Sequence, residues 1–83
     1  MKLRLKLLGS LRAFLPAGAG FNTTTLDLTP ATTLGMALQS LSIPQQSTYL
    51  VLLNGELIPD TAYPDTVLQE GDELTLFPPI KGG

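Results

Sequence analysis

Only one stretch of this chain carries a helical period, and it has strand-like alternation on both sides. Leu34, Ala37, Leu38 and Leu41 fall at i, i+3, i+4 and i+7, one face of a helix. Before it, Lys2-Leu3-Arg4-Leu5-Lys6-Leu7 alternates with period two, the pattern of a half-buried strand with leucines inward. After it, Glu73-Leu74-Thr75-Leu76-Phe77 does the same, with Leu74 and Leu76 inward and Thr75 and Phe77 outward. A single helix among strands, in 83 residues, has to serve as the lid of one small sheet. That requirement constrains the fold more than any other feature.

The remaining segments fit around this frame. Gly9 to Gly20 reads as a loop with one helical turn around Leu11 to Leu15. The threonine-rich stretch Phe21 to Leu28 is expected to be the second strand of an antiparallel hairpin, with Leu26 and Leu28 on one face. Either Thr29 caps the helix with Pro30 at its first position, or Thr32 caps a shorter one. Gly35 costs about 1 kcal/mol of helix propensity relative to alanine, which suggests close packing on the sheet. Ser42-Ile43-Pro44 ends the helix, because a residue before proline avoids the α region.

Thr48 to Leu53 is a third strand, apolar on both faces, so either a partner or more of the chain covers its second face. Asn54-Gly55 predicts a tight turn into a short strand from Glu56 to Ile58. In the turn-rich segment from Tyr63 to Asp72, Val67 and Leu68 are expected to plug the core. Gly71-Asp72 tightens the entry to the last strand. The order β–β–α–β–β–β is that of a β-grasp domain. The expected class is α+β, a ubiquitin-like mixed sheet of four to five strands packed on one main helix, with residues 1–83 forming a single domain and 78–83 its extended tail.

Composition narrows the function. The chain has neither cysteine nor histidine, which removes thiolate chemistry, disulfides, the commonest general base and the commonest metal ligand. No metal site is expected, and an iron–sulfur role is excluded. No convincing nucleophile–base or carboxylate pair stands out, so carrier, binding module or subunit are the expected roles. All basic residues but Lys81 precede residue 16, and every carboxylate lies at Asp27 or later, for a net charge of −2. The basic face Lys2, Arg4, Lys6 has no interleaved aromatic on which a base could stack, so no nucleic-acid partner is expected. A solvated strand face that discourages unwanted pairing explains it better. Leu8 shares that outer face and stands out as a contact residue. Arg12 interrupts any signal-peptide core, and no segment approaches the roughly 18 apolar residues of a membrane span. No membrane partner and a cytoplasmic location are the default expectations.

The chain finishes Phe77-Pro78-Pro79-Ile80-Lys81-Gly82-Gly83. A terminal glycine pair arises by chance in about one chain in 200 and, alone, fits a frayed end. The residues before it change that reading. Pro78 and Pro79 cannot donate to a ladder and favour extended geometry, so they end the sheet and aim a semi-stiff tail outward. Five residues at roughly 3.3 Å each give about 16 Å of reach, and glycines lacking Cβ atoms can enter a channel closed to other residues. The outward Phe77 is either an anchor for a docked protein or an ordinary exposed apolar residue.

The run from Leu68 to Gly83, with its Leu-Gln-Glu-Gly-Asp turn, apolar last strand, Phe-Pro-Pro and terminal Gly-Gly, closely resembles the ubiquitin-like sulfur carriers of the MoaD/ThiS family. Leu53-Asn54-Gly55-Glu56 and the N-terminal strand extend the resemblance over nearly the whole chain, and Phe-Pro-Pro is most similar to the small subunit of molybdopterin synthase. The resemblance implies that an E1-like adenylating enzyme of the MoeB/ThiF type uses ATP to convert the Gly83 carboxylate to an acyl-adenylate. A persulfide sulfur then displaces AMP and leaves a thiocarboxylate. It further implies that the tail enters a larger MoaE-type catalytic subunit, or another acceptor enzyme, and donates sulfur there, most naturally for the molybdenum cofactor. No cofactor is then bound by the chain itself. On this reading Gly83 is the reacting site, and Phe77, Pro78, Pro79, Ile80, Lys81, Gly82 and Leu8 serve the tail or its partners. Lys81 either meets phosphate or acidic groups or is simply solvated. The alternatives are a carrier for thiamine or another sulfur pathway, a modifier transferred to lysine amines, and a purely structural interaction domain.

Overall fold

A computed structural model describes residues 1–41, 43–44 and 48–79. Strands β1 (Lys2–Leu7), β2 (Thr23–Asp27), β3 (Leu50–Leu53), β4 (Glu56–Ile58) and β5 (Glu73–Phe77) form one sheet in the order β2-β1-β5-β3-β4. The helix α1 (Leu34–Ser40) lies between β2 and β3 in the chain, and 3-10 helices span Gly9–Phe14 and Asp60–Asp65. β1 and β5 are parallel while β1–β2, β3–β4 and β3–β5 are antiparallel, so the sheet is mixed and has five strands. The alternation read along β1 and β5 is realised. Leu3, Leu5, Leu7, Leu74 and Leu76 are buried, and they meet Leu34, Ala37 and Leu38 of α1, with Val51, Leu11 and Leu68 completing the core. The α+β, β-grasp architecture is therefore as the pattern predicts.

Several local expectations are corrected. The helix is capped by Thr33, whose hydroxyl accepts from the Met36 amide at 3.2 Å, not by Thr29 or Thr32. Those two threonines close a turn instead, the Thr32 hydroxyl donating to the Thr29 carbonyl at 2.7 Å. Pro30 occupies this turn with Ala31 at φ 69°, a left-handed conformation that no helix continues. Leu41 is the C-cap rather than a helical residue, although it still packs on the core. Val67 is 55 % exposed, because its bridge to Thr33 at the edge of the helix entry turns it outward while Leu68 turns in. Gly35 faces the Tyr63 backbone, 3.5 Å from where a Cβ would sit, so it serves the contact with the second 3-10 helix rather than with the sheet. The second and third strands are shorter than their apolar stretches, beginning at Thr23 and Leu50. Phe21 stands 77 % exposed outside β2, with the Arg12 guanidinium 4.1 Å above its ring.

The Asn54-Gly55 turn is present as expected, with φ 52° and 86° in a two-residue hairpin that pairs Leu53 with Glu56. Asn54 does more than turn the chain. Its side chain donates to Asp72 Oδ1 at 3.0 Å and accepts from the Glu73 amide at 2.9 Å, tying the β3–β4 hairpin to the entry of β5. Asp72 in turn accepts from the Gln69 amide at 2.8 Å. An Asn54→Gly variant keeps the positive φ but loses both side-chain bonds. It is expected to lose about 1 kcal/mol of stability, read from chemical denaturation, with the fold unchanged.

Candidate functional site

The strand that precedes the tail, β5, lies at the centre of the sheet. β5 is flanked by β1 on one side and β3 on the other, so its direction is held from both edges. The parallel ladder between β1 and β5 opens with the Arg4 amide donating to the Asp72 carbonyl at 2.9 Å and closes with the Leu8 amide donating to Leu76 at 3.0 Å. The next rung of a parallel ladder would run from the amide of residue 78 to the Leu8 carbonyl. Residue 78 is proline and has no N–H to give. The sequence thus ends the ladder with β1 at Phe77.

On the face of the sheet away from α1, the registers gather residues that are far apart in sequence. Phe77 lies opposite Leu50 of β3. The β1–β5 register carried one position further sets Leu8 beside Phe77, since Leu7 pairs with Leu76. Leu8, Phe77 and Leu50 therefore form an apolar row at the root of the tail, each of them half-buried. A second row runs Lys6, Thr75, Leu52 and Leu57 across four strands. Thr75 is buried beneath its neighbours, whereas Leu57 is 57 % exposed. The two faces of β3 expected from its sequence are both apolar, and among the described residues no element of the chain covers the second.

Of the expected site residues, Leu8, Phe77, Pro78 and Pro79 are brought together at one end of the sheet. Ile80, Lys81, Gly82 and Gly83 lie outside the described residues. Leu57 and Gly9 belong to this end or face of the sheet and were not singled out from the sequence. Leu57 was legible: a two-residue Asn-Gly turn fixes Leu53 against Glu56 and hence Leu52 against Leu57. Gly9 was not, because its significance comes from a contact with Pro78 made across the sheet.

Electrostatically the same face is graded. Arg4 approaches Glu73 at 3.8 Å, and the Lys2 amide donates to the Glu70 carboxylate at 3.0 Å. The early basic and late acidic residues are thus interleaved by the β1–β5 pairing rather than separated. Lys6, nearer the tail, has Thr23 and Thr75 as its register partners. Among the described residues no group of three or more Asp, Glu, His or Cys could hold a metal ion, and no helix is long and apolar enough to cross a membrane.

A concavity of about 760 Å³ lies on the helix side, between α1 and the second 3-10 helix. Met36, Ile43, Tyr49 and Tyr63 line it with Asp60. Burial pushes the phenols of Tyr49 and Tyr63 upward, and the nearby Tyr49 and Asp60 charges add to the shift at Tyr63. Raised phenol values keep both side chains neutral at physiological pH, so the groove offers one carboxylate, two neutral phenols, the Thr33 hydroxyl and the Gln39 amide. That is no acid–base pair, and none of the expected site residues lines it.

This sheet order, with β5 at its centre and one covering helix among the described residues, defines a ubiquitin-like β-grasp domain. The sequence model of the ThiS family matches residues 5–83. The chain belongs to the ThiS family. Solved structures agree on the fold. Small archaeal modifier protein 1 of Haloferax volcanii is 27 % identical with a TM-score of 0.70, the alignment covering 95 % of this chain and 98 % of that one. The HVO 2177 protein of Haloferax volcanii is 25 % identical with a TM-score of 0.76, over 100 % of this chain and 87 % of that one. A complex of subunits 1 and 2 of molybdopterin-converting factor from Helicobacter pylori contains a chain 21 % identical, with a TM-score of 0.60 and full coverage of both. At that identity the likeness is one of fold. No functionally curated protein sequence matches the chain. The resemblance drawn from the Leu68–Gly83 run is thus borne out at the level of the family.

Proposed function

We propose that this protein is a sulfur carrier whose reacting group is the Gly83 carboxylate. The observation that carries the proposal is the end of β5: a central strand whose pairing is stopped by Pro78, leading to Gly82-Gly83, in a chain of the ThiS family. A partner enzyme of the E1-like type binds ATP, and the carboxylate oxygen attacks the α-phosphate, releasing pyrophosphate and forming the acyl-adenylate. A carboxylate is a poor electrophile; AMP as leaving group makes the carbonyl carbon attackable. A persulfide sulfur of the partner system adds to that carbon and AMP departs. Reductive cleavage of the resulting acyl-disulfide by a thiol leaves the thiocarboxylate on Gly83 and a disulfide on the donor. The carrier needs no histidine or cysteine, because proton transfer and thiol chemistry reside in its partners.

Sulfur delivery to a larger catalytic subunit for the molybdenum cofactor is the pathway we favour, on the Phe-Pro-Pro sequence and the shared fold with a subunit of molybdopterin-converting factor. The row Leu8, Phe77, Leu50 at the tail root is the docking surface for these partners, in a cytoplasmic carrier formed by one domain, residues 1–83. A Phe77→Ala variant is expected to weaken binding to the adenylating enzyme by about 10- to 30-fold, the scale of an aromatic hot spot. Titration calorimetry reads this directly, and an affinity within twofold of the wild type would remove Phe77 from the surface.

A second reading is favoured by the likeness to a small archaeal modifier protein. The acyl-adenylate is the same, but a lysine amine takes the place of sulfur and an isopeptide bond forms. Incubation with an adenylating enzyme, ATP and a persulfide donor separates the two. A protein mass raised by one oxygen-for-sulfur exchange supports the carrier, whereas conjugates on lysines of other proteins, without that exchange, support the modifier.

A further inference from the structure

Gly9 lies immediately after the last rung of the β1–β5 ladder, with φ +57°. A side chain there would put its Cβ 3.0 Å from Cγ and 3.3 Å from Cδ of Pro78. That is tighter than nine in ten real Cβ contacts, so a side chain at position 9 would press the Pro78 ring back by a few tenths of an ångström. Two constraints of different origin coincide at this residue. The backbone must turn left-handed to leave β1 for the 3-10 helix Gly9–Phe14, and a side chain in front of it would crowd the ring. Pro78 has just lost its ladder bond, so in the direction of β1 its position is set by packing on Gly9 rather than by a backbone hydrogen bond.

We propose that Gly9 is the seat of the tail root: a positioning residue that holds the Pro78 ring and sets the direction in which the carboxyl-terminal segment leaves the sheet. The inference rests on the tail being the reacting segment. Pro78 and Pro79 are stiff, so a displacement at the seat is carried outward. A shift of a few tenths of an ångström at the ring re-aims Pro79, from which the reacting segment continues. Misplacement of a reacting atom on the ångström scale costs up to about 100-fold in rate.

The test separates the seat from the backbone turn. Asparagine tolerates left-handed φ better than other residues with side chains, so Gly9→Asn fills the seat with little backbone strain. Its kcat/KM for thiocarboxylation by the adenylating system that accepts the wild type is expected to fall about 10- to 100-fold. In a Pro78→Ala background, where Cγ and Cδ are gone, the same substitution is expected to cost less than about threefold, a coupling between touching residues. Equal losses in both backgrounds, or full activity of Gly9→Asn, would overturn the proposal, since a purely conformational role for Gly9 does not depend on the Pro78 ring. Nuclear Overhauser contacts between the Gly9 α protons and the Pro78 ring protons in the wild type provide a readout independent of sulfur chemistry and of whether the variants fold. Their presence supports the seat and their absence refutes it. If the wild type is never thiocarboxylated, the carrier reading fails while these contacts still decide the seat.

Discussion

Deleting Gly83, or appending one residue after it, is expected to reduce thiocarboxylate formation by about a thousandfold or more while leaving the melting temperature unchanged. The size of the effect follows from what is removed. Misplacing a reacting group costs up to about 100-fold, but here the group itself is taken away or moved one residue out of register. Deletion presents the Gly82 carboxylate short of its place, and extension replaces the Gly83 carboxylate by an amide that cannot be adenylated. Folding should not respond, because the buried part of β5 lies upstream of the tail: Leu74 and Leu76 are fully buried, and the ladder with β1 ends before Pro78. Mass spectrometry of the reacted protein and a thermal melt of each variant check both halves. An extended protein that is thiocarboxylated without prior trimming would remove the tail from the account.

Leu74→Ala is expected to have the largest effect on stability, about 3–5 kcal/mol. Leu74 is fully buried in the central strand, flanked by Leu5 of β1 and Leu53 of β3. Truncation there opens a cavity that two paired neighbours hold apart, so little of it can collapse. A domain of this size is stable by roughly 5–10 kcal/mol in total, and each kcal/mol shifts the melting temperature by about 4–8 °C. A fall of about 12 °C or more in a thermal melt is the expected result. The same substitution at Leu57, which is mostly exposed, should shift the melt by no more than a few degrees. A similar loss at both positions would contradict the assignment of the two faces.

Much of the fold was legible because it rests on patterns with a strict period. The alternation in Lys2–Leu7 and Glu73–Phe77 told the buried face of each strand, and Asn54-Gly55 told its turn type and register. The helix start was misread because Thr29, Thr32 and Thr33 all qualify as caps. The decision fell to the left-handed Ala31, a conformation that sequence gives no reason to expect at an alanine. Val67 was misplaced for a related reason: adjacent apolar residues cannot both face inward in an extended segment, and nothing local says which one does. Gly35 and Gly9 show the limit differently. A glycine announces that something approaches, but whether it is Tyr63, the sheet or Pro78 depends on contacts distant in the chain. For the candidate site, the arrangement of its described residues was not legible in the sequence. Phe77 and Leu8 could be named separately, while their adjacency required the parallel β1–β5 register that the crossover through α1 produces.

On the proposed function the reactive group is a main-chain carboxylate and not a side chain. Fragmentation mass spectrometry of the intact protein, after reaction with adenylating enzyme, ATP and a persulfide donor, tests it directly. A single oxygen-for-sulfur exchange confined to the fragment that contains Gly83 is the expected result. An exchange located on Asp or Glu side chains, or an unaltered Gly83 with an enzyme shown to adenylate the chain, would contradict it.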